Sequence, residues 1–145
     1  MKYFYSVFKI APHRIIGENY LSRWHLIPRN PLLNIYLHKY TGNDDERATH
    51  DHPWASVSFL LSGSIHEIRR DKNGTFRLNY NLHRFLPKYR SAKYSHRILL
   101  DTPVAWTLFI TGPRFREWGF NCSDGWRDAA AFTATDPDGN ERGCD

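Results

Sequence analysis

The residues of this chain best suited to chemistry are the histidines of His50-Asp51-His52, because two imidazoles spaced this way can serve one ion. On an extended backbone, residues two apart project from the same face, so both rings reach one point while Asp51 turns away. Pro53 follows directly and offers no N–H to a sheet ladder, which places the pair at a strand entrance or edge, where a pocket can open. Spacing alone does not make a metal site, since a His-x-His on a strand is more often two polar surface side chains.

Strands must position such a pair, and from about residue 32 the sequence falls into short β-rich runs punctuated by turn residues. Leu32 to Tyr40 ends at Thr41-Gly42-Asn43-Asp44-Asp45, a turn signal. Trp54 to Leu61 and Ser64 to Arg70 are joined at Ser62-Gly63, and Asp71-Lys72-Asn73-Gly74 predicts a tight hairpin. The run Thr75 to Leu82 alternates, putting Phe76, Leu78, Tyr80 and Leu82 on one face. His96 to Leu100, Val104 to Ile110 and Arg114 to Phe120 complete the set. Helix is expected only over Arg14 to Trp24 and Trp126 to Phe132, both short enough to need tertiary support. The expected class is all-β, a barrel with short N- and C-terminal helical segments.

Composition narrows the function classes. A chain of 145 residues with 41% hydrophobic and 15% aromatic residues can build a real core, so a folded protein is expected, with disorder confined to the ends. With no repeat and no Pro-, Gly- or Ser-rich linker, residues 1–145 are read as one domain. No apolar run approaches the ~20 residues of a membrane helix, and the start lacks a cleavage site, so a cytoplasmic protein without a membrane partner is expected. Cys122 and Cys144 are too few for a disulfide framework and are read as ordinary thiols. The net charge of +5 is spread along the chain, and Arg84, Lys88, Arg90, Lys93 and Arg97 are interrupted by Tyr, Leu and Pro. Nucleic acid is therefore not the expected partner.

Downstream spacing strengthens the histidine pair. Three residues beyond His52 comes Ser56, and six more reach Gly63. This resembles the first cupin motif, His-x-His, three or four residues, Glu, six residues, Gly, with Ser in place of Glu. The second cupin motif supplies a histidine about 30–50 residues later at the start of a strand, and His96 in Tyr94-Ser95-His96-Arg97-Ile98-Leu99 stands in that place. The rest of that motif is poorly kept, its Pro, Gly and Asn positions falling on Ser91, Lys93 and Leu100. Further stretches, Arg23 to Asn30, Asn34 to His38, His50 to Trp54, and Trp106 to Arg114 with Arg116 to Phe120, are similar to a group of small cupin-like proteins of bacterial and phage genomes. The resemblance implies a cupin double-stranded β-helix, a jelly-roll barrel, with a divalent ion on His50, His52 and His96. It brings no reaction.

With Ser56 where the motif has Glu, the implied site carries three neutral imidazoles and no anionic ligand, which resembles the iron centre of the thiol dioxygenases. Imidazole suits Fe, Ni, Cu or Zn, with Mn also compatible, and Fe(II) is favoured by that likeness. A small anionic substrate would help neutralise the ion, held by Arg97, Arg114 or Arg116, whose guanidinium groups grip carboxylate or phosphate with two donors. Trp106, with Trp54 and Trp118, would wall the pocket. His38 and Tyr36 share one strand face and offer proton transfer, and Glu117 is a candidate base or a salt-bridge partner. Either His66 or Glu67 must face inward, and His66 is a candidate fourth ligand. A metal-dependent oxygenase is the expected function. The alternative is a non-oxidative cupin that binds or isomerises a sugar or other small ligand, its metal structural or absent, and a homodimer is compatible with either.

Overall fold

The computed structural model describes residues 11–17, 20–44, 48–70 and 76–144. Among them the strands are β1 (Arg14–Ile16), β2 (Leu21–His25), β3 (Asn34–Tyr40), β4 (Thr49–His50), β5 (Ser56–Ser62), β6 (Ile65–Arg70), β7 (Phe76–Asn81), β8 (Pro87–Arg90), β9 (Arg97–Leu100), β10 (Ala105–Thr111), β11 (Gly119–Cys122) and β12 (Gly125–Asp128). Among the described residues one short helix, α1 (Ala129–Thr133), follows. One six-stranded sheet has the order β1-β2-β3-β10-β5-β8, and two three-stranded sheets have the orders β12-β11-β4 and β7-β6-β9. The two smaller sheets are joined where the backbone N–H groups of His50 and His96 each donate to the other's carbonyl, both at 2.9 Å. The second layer is therefore β12-β11-β4-β9-β6-β7, with two histidines at its seam. Two facing antiparallel layers with crossing connections make the expected all-β jelly roll of the cupin fold.

Alternation builds the interior. Along β10 the even residues Trp106, Leu108 and Ile110 are half-buried, while Ala105, Thr107, Phe109 and Thr111 are buried. The inward residues change character part-way along each strand. At one end Leu21, Tyr40, Leu60, Ile65, Ile98 and Ala105 pack into an apolar cluster. Two residues along the same strands come Arg23, His38, Ser58, Glu67, His96 and Thr107, all polar. The barrel is thus plugged by hydrocarbon at one end and polar in the middle, the form of a closed-bottomed ligand pocket. Gly63 in the β5–β6 turn has φ 83°, and a Cβ there would collide with Val104 O and stand 2.7 Å from Ala105 Cα, so the motif position requires glycine.

Several expectations are corrected. The segment Arg14 to Trp24 is not helical: β1 and β2 pair antiparallel, Arg14 opposite Arg23 and Ile16 opposite Leu21, with Gly17 at φ 64° beginning the return. Arg114 to Phe120 is mostly loop, with strand only from Gly119, because Arg116 is turned back against the His50–His52 segment. Trp126 to Phe132 divides into β12 and α1, the helix starting where the Asp128 carboxylate accepts the Ala131 N–H. Cys122 and Cys144 are not thiols but a disulfide, which fastens the C-terminal segment to β11. The predicted hairpin at 71–74 lies outside the described residues. No helix among the described residues is long and apolar enough to cross a membrane.

Candidate metal centre

His50 closes β4, His52 lies two residues on, and His96 enters β9, so the layer's seam brings all three imidazoles together. One ring nitrogen from each lies within 4.8 Å of the others. The Nε2 atoms of His52 and His96 are 3.0 Å apart. That is about the separation of two nitrogens set at right angles around an ion at ~2.1 Å, so the donor set fits one divalent ion. Burial, reinforced by the neighbouring imidazoles, pushes the pKa of His52 well below its ordinary value; burial also pushes His50 down, against the pull of Asp44. Neutral rings are what metal binding requires.

Two buried carboxylates stand behind the cluster. Glu67, fully buried on β6, places Oε1 3.1 Å from His96 Nδ1. The same oxygen accepts from Arg90 Nε at 2.8 Å and from a terminal amino group of Arg90, and Tyr94 Oη donates to Oε2 at 3.0 Å. Burial acts to raise the Glu67 pKa, but His96 and Arg90 outweigh it and hold the carboxyl below the usual range. Arg90, itself buried, also donates to Ser58 Oγ at 2.6 Å. Asp44 Oδ2 lies 3.7 Å from His50 Nδ1 and accepts the Ile98 N–H at 2.7 Å. A carboxylate near Nδ1 favours the tautomer that leaves Nε2 for a metal; Glu67 acts on His96 at 3.1 Å, while Asp44 at 3.7 Å from His50 acts by its charge alone.

Asp51 turns away from the centre and anchors the pair. Its carboxylate accepts from Gly119 N at 2.8 Å and Trp126 Nε1 at 3.0 Å, and pairs with Arg116 at 2.9 Å. Arg116 also donates to the carbonyls of His52 and Ala92.

The cluster opens on a cavity of about 590 Å³ that reaches both layers. His38 and Tyr36, buried on β3, stand in its opposite wall. Phe109 lies between, its ring centroid 5.1 Å from that of His38 and 6.4 Å from that of His52. Trp54 and Trp118 line the same cavity. Arg114 lines it as well, while pairing at the surface with Glu117 at 2.8 Å.

Other candidates are not brought there. Glu117 is exposed, Arg97 and Trp106 project from the outer faces of β9 and β10, and Arg116 is engaged with Asp51. Trp106 stacks on Trp24 instead. His66 faces outward, its Nδ1 2.7 Å from Asp101, so the inward residue of that pair is Glu67 and the fourth-ligand expectation for His66 falls. The signal for Glu67 was ambiguous because Ile65 and Ile68 sit on opposite faces of one strand. Arg23, which lines the cavity, was hidden by the helical reading of its segment.

No protein-family model matches the chain, and no curated protein matches it. Solved structures do. The DMSP lyase DddQ from Ruegeria pomeroyi superposes with a TM-score of 0.61 at 14% identity, over 86% of this chain and 68% of that one. The Fe(II) protein HppE gives 0.57 at 17% identity, over 71% of this chain. The match spans little more than half, 56%, of HppE. A protein with a double-stranded β-helix domain from Klebsiella pneumoniae gives 0.53 at 11% identity, over 72% and 86% of the two chains. At these identities the likeness establishes the architecture, and the chain has the double-stranded β-helix fold of the cupins.

Proposed function

We propose that this protein holds one divalent ion, Fe(II) by preference, on His50, His52 and His96 and performs oxygenase-type chemistry on a small anionic molecule bound beside it. The observation that carries the reading is the convergence of three imidazole donors at the wall of a cavity, backed by Glu67 and Asp44. When bound, the ion would supply a Lewis acid and, as iron, a redox centre for oxygen. The chain's own residues orient the donors: the Glu67 carboxylate stands 3.1 Å from His96 Nδ1, and Asp51 and Arg116 hold the His50–His52 segment.

The charge of the cavity supports an anionic occupant. Arg14, Arg23, Arg29, Arg90 and Arg114 line it against Asp44 and Glu141, and the Arg90 charge is already met by Glu67. A cationic, partly water-excluded cleft concentrates anions. Arg114 at the rim is suited to meet an entering carboxylate, and neutral His38 with Tyr36 forms the far wall.

The test is elemental analysis after exposure to Fe, Ni, Zn, Mn and Cu, followed by oxygen uptake of the iron-loaded protein with thiol-bearing and other small carboxylates. Near-stoichiometric metal and substrate-dependent oxygen consumption are expected. Failure to bind any of these ions overturns the metal reading. Bound metal without oxygen uptake, with a neutral sugar raising the melting temperature instead, replaces the oxygenase with the non-oxidative alternative.

A further inference from the structure

The cavity wall opposite the three histidines contains polar groups without a hydrogen-bond partner among the described residues. His38 on β3 is 2% exposed, and its Nε2 lies 2.8 Å from Arg23 Nε. Arginine only donates, so Nε2 must accept and the ring proton must sit on Nδ1. Burial, with the Arg23 charge, keeps this imidazole neutral. The Nδ1–H finds no hydrogen-bond partner among the described residues. Thr107 is the direct cross-strand partner of His38 in the β3–β10 ladder, so both side chains share the inner face. Its hydroxyl, also buried, is equally without a partner among them. Buried polar groups without a partner are few in folded proteins, and here two of them stand side by side on the cavity wall.

Arg23 supplies the charge. It is half-buried on the cavity wall, its guanidinium 4.5 Å over the Tyr36 ring, and no carboxylate among the described residues forms an ion pair with it. A partly buried cation lacking a counter-ion is costly unless an anion joins it.

We propose that Arg23, His38 and Thr107 form an oxyanion subsite that takes the carboxylate, or a comparable oxyanion, of the molecule bound in this cavity. His38 and Thr107 are neighbouring neutral donors for the oxygens of an oxyanion, and Arg23, held at the Nε2 edge of the same imidazole, supplies the positive charge nearby. This rests on the reading of the cavity as a small-anion site, but needs no metal to form. It gives the substrate two addresses: the oxyanion on the six-stranded sheet, and the remainder of the molecule facing the histidines past Phe109.

The experiment is an acetate titration of the full chain, labelled with ¹⁵N-histidine, both stripped of metal and loaded with Zn(II), followed by long-range ¹H–¹⁵N spectra. His38 is expected as the Nδ1–H tautomer in both states, with a saturable shift on adding acetate. Arg23→Gln should weaken that binding about 30-fold and Thr107→Val about fivefold, with bound Zn(II) unchanged. Should Arg23→Gln fail to fold, Arg23→Lys, which keeps the charge but changes the donor geometry, together with Thr107→Val, provides the same comparison. Unaltered acetate affinity in both folded variants overturns the subsite, as does a shift that never saturates, which would mean that water satisfies these donors. Acetate binding lost on stripping the metal also overturns it, since the anion would then sit on the ion. Acetate binding that persists in a protein unable to hold any metal leaves the subsite standing and removes the metal reading alone.

Discussion

His96 joins the cluster from a different strand than His50 and His52, and its orientation depends on Glu67, so this carboxylate governs both the site and the stability around it. His50→Ala, His52→Ala and His96→Ala are each expected to drop bound metal far below stoichiometric while the circular dichroism remains that of a β-protein. Ser56→Ala, which alters a buried hydroxyl without a partner among the described residues, should leave metal content unchanged. Glu67→Gln preserves shape but leaves the Arg90 guanidinium buried without its counter-charge. That costs about 3–5 kcal/mol, read by urea denaturation of the metal-free protein. Metal affinity should fall a further 10- to 100-fold, to about the extent seen when the carboxylate behind a ligating histidine is removed. A variant as stable as the parent would show that Arg90 finds another partner.

Among the elements, β11 links the metal centre to the C-terminal segment. Phe120 pairs with His50 across the β4–β11 ladder, and its ring stacks on Phe132 of α1 at 3.7 Å. The Cys122–Cys144 disulfide closes this cluster over a separation of 22 residues. Replacing both cysteines by serine should lower stability by about 3 kcal/mol, measured by denaturant midpoint. Metal retention under chelator challenge should fall with it, because His50 loses the packed support of Phe120. Unchanged metal retention would separate the tail from the centre. Gly119 is the other tight point: a Cβ there would run into Arg127 O and stand 2.8 Å from Asp128 Cα, so Gly119→Ala should part β11 from β12 and disturb the N–H that Asp51 accepts.

For the whole molecule, two phenols at the apolar end of the barrel, Tyr20 and Tyr40, predict a loss of stability at high pH. Burial, with Asp44 adding to it, raises the pKa of both Tyr20 and Tyr40 well above the ordinary value. A folded-state pKa above the unfolded one gives stability that is complete below the ordinary tyrosine value of about 10 and is lost as pH rises beyond it. Urea midpoints should therefore hold up to about that pH and then decline. In Tyr40→Phe the alkaline decline should begin at the same pH but be shallower, since Tyr20 remains, and an unchanged slope would assign the decline to other groups.

The sequence by itself determined the alternation and the turns, and with them most of the strands, since period-two burial and glycine positions such as Gly63 are local properties of the chain. It also set His50 and His52 on one face, for the same reason. His96 was legible only by its place relative to a known motif, because no local pattern tells a strand which distant strand it will meet. Which of His66 and Glu67 points inward, and that Arg116 pairs with Asp51, depended on sheet register and loop path. These are long-range pairings that a run such as Ile65-His66-Glu67-Ile68 leaves balanced. The disulfide belongs to the same class, for two cysteines 22 residues apart pair only when the fold sets their Cα atoms 5.4 Å from each other. Tertiary structure thus decided what stands behind and across from the histidines, since the Arg90–Glu67–His96 chain and the Arg23–His38–Thr107 wall are assembled from strands that come together only when the barrel closes.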